Sequence, residues 1–292
     1  MTTLTSPSNP KLKLIRSLRT QRKQRDESGL CVVEGIRHVG EALQAGVQVA
    51  YLCYAPERLE SEFGRQLVAE QERRGLPCYA VAAEVFESLA DKDNPQGLLA
   101  VVHQPRQRLE DLTAGNFPWG VALVAPQDPG NIGTILRTVD AVGASGLLLL
   151  DDSADAYAPA AVRASMGAVF RYPVARARFG EFATWAQQAG YHIYGSSARG
   201  SRDYREMESY PAPRGAGPFQ GRPPRLFLQH LGEPDRYAEP DLVGVVLVLE
   251  RVAGAREHGV RVDVFEKGTR EGLGLEALAV TRVDRVDPAF CR

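Results

Sequence analysis

The sequence predicts an α/β protein of two domains, and three observations carry that prediction. The chain has 292 residues, enough for one large or two ordinary domains. Apolar residues make up 44% and charged residues 24%, the balance of a globular chain with a sizeable core. Short apolar runs alternate with segments of helical periodicity, the pattern of strands and helices laid down in turn.

The same composition excludes disordered, collagen-like and coiled-coil classes. The longest apolar runs, such as 147–150 and 245–249, fall far short of the roughly 18 residues that a membrane span needs. The N-terminus carries no apolar export core, so the expected location is the cytoplasm, with no membrane partner. Cys31, Cys53, Cys78 and Cys291 form no CxxC pair and His is scarce, which argues against a disulfide scaffold and against a metal site. These cysteines read as small buried apolar residues in a reducing compartment.

Residues 9–24 read as a helix, with Asn9 as N-cap, Pro10 in the first turn and Leu14, Ile15 and Leu18 on one face. A buried strand follows over 30–34. Gly35 turns the chain into a helix with Ile36, Val39 and Leu43 on one face. Strands over 47–54, 78–81 and 98–103 and a charged helix over 58–74 complete a domain expected to have parallel-sheet character. Its first 25 residues hold Lys11, Lys13, Arg16, Arg19, Arg22, Lys23 and Arg25 and no acidic residue, a charge of +7. Such an arm suits a polyanion, with affinity drawn from counterion release, or else is a solvated helix face.

Residues 105–118, polar with two prolines and no periodicity, read as a linker between a first domain at 1–104 and a second at 119–213. The second domain opens with a strand over 120–125, a loop over 126–130 and a helix over 132–142 ended by Gly143. A strand over 146–150, a helix over 160–168, an extended stretch over 169–174, a helix over 182–190 and a strand over 191–196 continue the alternation. After about residue 213 the character changes. The stretch 214–225 is rich in Arg, Gly and Pro, and 214–292 forms a divergent C-terminal region with one clear apolar strand at 243–249.

The strongest local signal is PQDPGNIGTILRTVDAVGASG at 126–146. A strand ends in a Gly/Pro/Asn loop and a helix begins, which puts backbone N–H groups and a positive helix end at a sheet's carboxyl edge. Gly130 and Gly133 permit close backbone approach, and Arg137 lies one turn beyond Gly133, able to face the loop. The glycine pattern is not GxGxxG, so a dinucleotide site is disfavoured.

This segment resembles the first conserved stretch of the SpoU/TrmH family, S-adenosylmethionine-dependent RNA ribose 2′-O-methyltransferases of the SPOUT superfamily. The family pattern NxGxxxR stands here as Asn131, Gly133 and Arg137, and Tyr-x-Pro…Arg-x-Ser-x-Gly as Tyr157, Pro159, Arg163, Ser165 and Gly167. LTSPSNPKLKLIRSL, VVEGIRHVGEALQAG and DNPQGLLAVV resemble the family's small α/β substrate-binding domain, so the likeness covers about residues 3–213.

The resemblance implies a small α/β substrate-binding domain followed by a SPOUT-type α/β domain, which in the family carries a trefoil knot. It implies S-adenosyl-L-methionine as cofactor, RNA (ribosomal RNA foremost) as substrate, and a homodimer. Arg137 and Asn131 are the catalytic candidates it points to, and Asn9, Lys11, Arg22, Arg163 and Ser165 the RNA-binding ones. Ser165 alternatively caps a helix or shapes the site, and Glu34 pairs with Arg37 or the basic arm. The chemistry agrees with the motif: a ribose hydroxyl is a poor nucleophile, and a guanidinium can stabilise the alkoxide that develops there.

The family's G-x-E-x-x-G and Ser-Leu-Asn motifs, which build its cofactor site, are altered here. The nearest match to the first is VVLVLERVAGA at 245–255, which makes Glu250 and Gly254 the cofactor-binding candidates. Gly272-Leu273-Gly274 stands where Ser-Leu-Asn is expected. Three explanations compete: a frameshift, in keeping with 30 Arg among 35 basic residues; a divergent, rebuilt site; or a catalytically inactive RNA-binding homologue.

Overall fold

The computed structural model describes residues 3–90, 95–113, 115–197, 246–251 and 279–283. The chain forms two compact units: Met1–Pro105 with Pro129–Arg137 and Asp155–Arg171, and Arg106–Asp128 with Thr138–Ala154 and Tyr172–Arg292.

In the first unit, α1 (Pro10–Thr20) and α2 (Arg22–Ser28) lead into β1 (Leu30–Glu34), α3 (Ile36–Gln44), β2 (Val49–Tyr54), α4 (Glu62–Arg73), β3 (Cys78–Ala80), α5 (Ala83–Glu87) and β4 (Leu98–His103). The Asn9 side chain accepts from Lys11 N at 2.9 Å and Pro10 takes the first helical position, so α1 starts where its cap and proline dictate. Its buried residues Leu12, Ile15 and Leu18 recur every third position and pack with Val32, Tyr51, Phe86 and Val101. The single helix read over 9–24 is two: Gln21, extended at φ −117° and ψ 110°, breaks the ladder and starts α2 in a new direction.

The sheet of this unit has the order β1-β4-β2-β3. The expected parallel character holds for β2–β3 alone, because β4 inserts antiparallel to both β1 and β2. Apolar runs read the same in either direction, so strand polarity was not legible in them.

The second unit holds β5 (Trp119–Val124), β6 (Leu147–Leu150), β7 (Val174–Ala177), α9 (Phe179–Gln188), β8 (Tyr191–Ser197), β9 (Val246–Arg251) and β10 (Ala279–Val283). Between them in the chain run α6 (Pro129–Val142), α7 (Pro159–Ala164) and α8 (Ala168–Arg171). The sheet order is β10-β8-β9-β5-β6-β7, with β5, β6 and β7 mutually parallel and β9 antiparallel to both β5 and β8. The stretch read as extended over 169–174 is instead the short α8 and the approach to β7.

The polar stretch 105–118 supplies core as well as connection. Leu109, Leu112 and Phe117 are buried with Leu148, Leu150, Phe182 and Tyr191. The Tyr191 hydroxyl donates to Phe117 O, and Trp185 stacks on Tyr191 with ring centres 4.8 Å apart. Each fully buried large apolar side chain contributes roughly 1.5–3 kcal/mol, so the three from this stretch anchor it to the unit. Among the described residues no helix is long and apolar enough to cross a membrane.

Candidate active site

The loops that leave β5 and β6 are tied to each other. Ala125 and Asp151, the residues just past the two strands, both adopt left-handed backbone at φ 49° and 54°. Neither is glycine, and such strain persists only where the surroundings hold it. Those surroundings are visible: Ala154 N donates to Pro126 O at 2.7 Å. Gln127 Nε2 donates to Ala125 O at 2.8 Å and to Asp152 O at 3.2 Å. The carboxyl edge of adjacent parallel strands, where open α/β sheets take ligands, is thus preformed.

The chain passes from the β5 loop straight into α6. Pro129 occupies the first helical residue, three positions earlier than the hydrophobic pattern indicates, because proline is pre-shaped for that position. Asn131 therefore sits in the first turn, half-buried. Arg137 is the ninth residue of the helix, exposed, and about 12 Å along the axis from Pro129. It stands two turns inside the helix, deeper than its distance from Gly133 implied.

Gly133 is where α6 meets α7. A Cβ at this position would come within 2.3 Å of Ala161 O, 2.8 Å of the Ala164 Cβ and 2.9 Å of Ser165 N. Two of these atoms belong to backbone, so only glycine allows the approach. The glycine of the NxGxxxR pattern is thus a packing residue.

On α7, Pro159 occupies the first turn and Ser165 is the C-cap. Ser165 is fully buried and its hydroxyl donates to Val162 O at 2.8 Å. The hydroxyl closes the helix end beside Gly133. Arg163 is exposed and lines a small cleft with Arg19, Glu34 and His38 that has room for about one water, about 20 Å³.

The segment carrying α7 is anchored by a buried ion pair. Arg25 Nε donates to Asp155 Oδ2 at 2.6 Å, and both side chains are almost inaccessible. Arg25 Nη1 also donates to Leu18 O at 2.6 Å, Asp155 Oδ1 accepts from Tyr157 N at 2.8 Å, and the Tyr157 hydroxyl donates to Pro105 O at 2.6 Å. Both carboxylate oxygens of Asp155 and two nitrogens of Arg25 thus have partners, as a desolvated pair requires. Asp155 carried no signal in the sequence, since a lone Asp between alanines resembles any loop residue.

The basic arm is largely spent within the fold. Besides Arg25, Arg19 pairs with Glu34 at 3.9 Å, which is the arm pairing expected for Glu34. Arg22 pairs with Asp26 at 3.4 Å and Lys23 with Glu27 at 3.7 Å. Arg16 donates to Pro7 O at 2.6 Å and Ser88 Oγ at 3.0 Å. Lys11 turns inward, its ammonium 4.7 Å from the Tyr79 ring centre and 5.3 Å from that of Tyr51, within cation–π range. Asn9 is occupied as the α1 cap. Asn9 and Lys11 thus each have a structural role in the first unit. Arg22 and Lys13 stay exposed.

Glu250 lies near the end of β9. The register pairs it with Trp119, the first residue of β5, because β9 runs antiparallel to β5. That end of β5 is five residues, roughly 17 Å, from the carboxyl edge where the tied loops lie. Gly254, the proposed frameshift region around 214–225 and Gly272–Gly274 lie outside the described residues.

Cys31 and Cys53 are buried and Cys78 is partly buried, while Cys291 lies outside the described residues. Burial, followed by the charge of Asp155, raises Cys31 far above the usual thiol range. Burial pushes Cys53 up to about 12, against a lowering by Lys11, and pushes Cys78 up to about 11. No group of three or more His, Cys, Asp and Glu suited to a metal ion occurs among the described residues.

Comparison with known proteins agrees with this geometry. Residues 9–100 match an MRM3-like substrate binding domain, and residues 118–217 match the SpoU rRNA Methylase family. A 23S rRNA (guanosine(2553)-2′-O)-methyltransferase of Bacillus subtilis is 29% identical over 208 residues, 71% of this chain and 78% of that protein. A 23S rRNA (uridine(2479)-2′-O)-methyltransferase of Streptomyces viridochromogenes is 32% identical over 181 residues, 61% of this chain and 62% of that one. A crystal structure of an rRNA methyltransferase from Sinorhizobium meliloti with AdoMet bound superposes with a TM-score of 0.60. It is 36% identical, over 71% of this chain and 76% of that one. These relatives bear enzyme names, so they lend no support to the inactive-homologue alternative.

Proposed function

The chain belongs to the SpoU rRNA Methylase family, and from that premise we propose that it methylates a ribose 2′-hydroxyl of ribosomal RNA, with S-adenosylmethionine as donor. The observation that carries this reading is the α6–α7 pair, in which Gly133 holds the Asn131 and Arg137 helix against the Arg163 and Ser165 helix. When bound, S-adenosylmethionine supplies an already activated methyl group. The strained, mutually bonded loops after β5 and β6 suit a ligand of this kind: they present backbone donors and acceptors at a preformed sheet edge.

The task left to the chain is to orient the ribose and to help its oxygen. Arg137 donates to the 2′-oxygen and offsets the negative charge that develops there. A guanidinium offers donors and no acceptor, so a phosphate or water takes the hydroxyl proton. Asn131 holds the ribose or the loop before α6. Arg163 and Arg22, both exposed, contact RNA phosphate. Residues 1–104 act as the substrate domain, and the working form is a cytoplasmic homodimer, as the family resemblance implies.

Calorimetric titration of the full chain with S-adenosylmethionine tests this reading. Saturable binding at one site per chain is the expected result. A folded chain that releases no binding heat and retains no labelled donor overturns it.

A further inference from the structure

Among the described residues, the large apolar side chain left exposed is Phe63, at 56%. It is the second residue of α4, and its ring lies along α3, where a Cβ on Gly40 would be 3.8 Å from it. One exposed ring alone is ordinary. Here the ring forms a wall of an open cleft of about 350 Å³, where Ile36 adds apolar surface and Arg37, Glu41, Gln44, Ser61 and Gln96 add polar groups. The Gln96 amide is held in place, its Oε1 accepting from Ile36 N at 3.1 Å. The carboxylate of Glu41 is compensated by Arg171 at 2.7 Å, so the charge that the cleft presents comes from the exposed Arg37. The first turn of α3, where the Gln96 side chain takes up the Ile36 N–H, adds a partial positive charge.

An apolar peptide would find one ring and several polar groups to desolvate. A single unpaired nucleotide fits the set better. Its base offers a flat face to the ring, its edge offers donors and acceptors to fixed amides, and its phosphate offers a negative charge to the guanidinium. We propose that this cleft binds one unpaired RNA nucleotide, with the base stacked on Phe63 and the phosphate against Arg37. The proposal rests on the reading of the chain as an RNA-directed enzyme and adds the place where it grips single-stranded RNA.

The probe is a fluorescein-labelled uridine decamer, read by anisotropy with the full chain at several salt concentrations. Phe63→Ala weakens binding about fivefold to hundredfold, the range for loss of one base–aromatic stack. Phe63→Leu, which keeps apolar area and loses the π-face, also weakens it. Phe63→Trp preserves affinity, and the added tryptophan fluorescence is quenched by the RNA. Arg37→Ala lowers the salt dependence by about one phosphate contact. Phe63 is solvent-facing, so melting curves of these variants stay close to the native one.

Unchanged decamer affinity in Phe63→Ala overturns the assignment. So does a Phe63→Leu variant that binds like native, or a Phe63→Ala variant whose oligomeric mass changes while RNA affinity does not, which would make the cleft a protein interface. If the native chain methylates ribosomal RNA while Phe63→Ala binds like native, only the cleft assignment falls. If the native chain neither binds nor methylates RNA, the enzymatic reading falls with it.

Discussion

The α1–α2 segment and the α6–α7 pair are organised by different forces. Between residues 10 and 28 charge pairs add to the apolar packing of Leu12, Ile15 and Leu18. Arg25 is buried on Asp155, Arg19 reaches Glu34, Arg22 and Lys23 pair one turn along α2, and Lys11 lies over two tyrosine rings. In α6–α7 the order comes from shape, since a missing Cβ at Gly133 lets two helices touch backbone to backbone. The first region is rich in cations and exposes few of them uncompensated. The second carries few cations, and its Arg137 and Arg163 are exposed on a fixed scaffold. A charge count alone therefore does not describe either region.

Removing one partner of the buried pair should break the comparison most severely. Arg25→Met leaves Asp155 charged and desolvated, and denaturant unfolding should show a loss of about 3–5 kcal/mol. The double variant Arg25→Met with Asp155→Leu should regain part of that loss. The recovery stays incomplete because Asp155 also accepts from Tyr157 N. A single variant as stable as the native chain would mean that charge does not organise this region.

Gly133→Ala tests the other side. The added methyl cannot coexist with Ala161 O at 2.3 Å, so α6 must shift from α7. Overpacking of this kind costs about 1–3 kcal/mol, and methyl transfer should fall much further than stability does. Activity at the native level would show that the close approach is dispensable.

A smaller effect follows from the thiols beneath α1. Burial holds Cys53 up at about 12, with Lys11 pulling the other way, and holds Cys78 up at about 11, whereas an unfolded thiol ionises near 9. The folded chain keeps protons that the unfolded chain has lost. Stability from these groups is therefore complete below about pH 9 and drains away as the pH rises through 11 and 12. Denaturant midpoints at pH 8 and 10 should show the fall, and Cys53→Val should reduce it. Smallest of all, Lys23→Ala should change stability by at most about 0.5 kcal/mol, because Lys23 and Glu27 are both mostly exposed.

The parts of this molecule legible in its sequence were those written in local patterns. The cap and proline at Asn9-Pro10, the strand–loop–helix at 119–142 and the Asn131, Gly133, Arg137 spacing all depend on neighbours in the chain. What sequence could not supply was direction and distance. The apolar run at 243–249 identified a strand, yet not its antiparallel pairing, which sets Glu250 opposite Trp119 at the start of β5. The pairing of Arg25 with Asp155 spans 130 positions and leaves no periodic trace. The buried hydroxyl of Ser165 and the inward turn of Lys11 likewise depend on tertiary neighbours.

The most direct test of the central claim is methyl transfer from labelled S-adenosylmethionine to ribosomal RNA, with native chain and Arg137→Ala side by side. The native chain should place label on ribose, in nucleotides that resist alkaline cleavage on their 3′ side. Arg137→Ala should lose at least about a hundredfold in rate, the usual cost of one charge-stabilising donor, while binding the donor as before. Full transfer by Arg137→Ala, or label found on bases instead of ribose, would contradict the account.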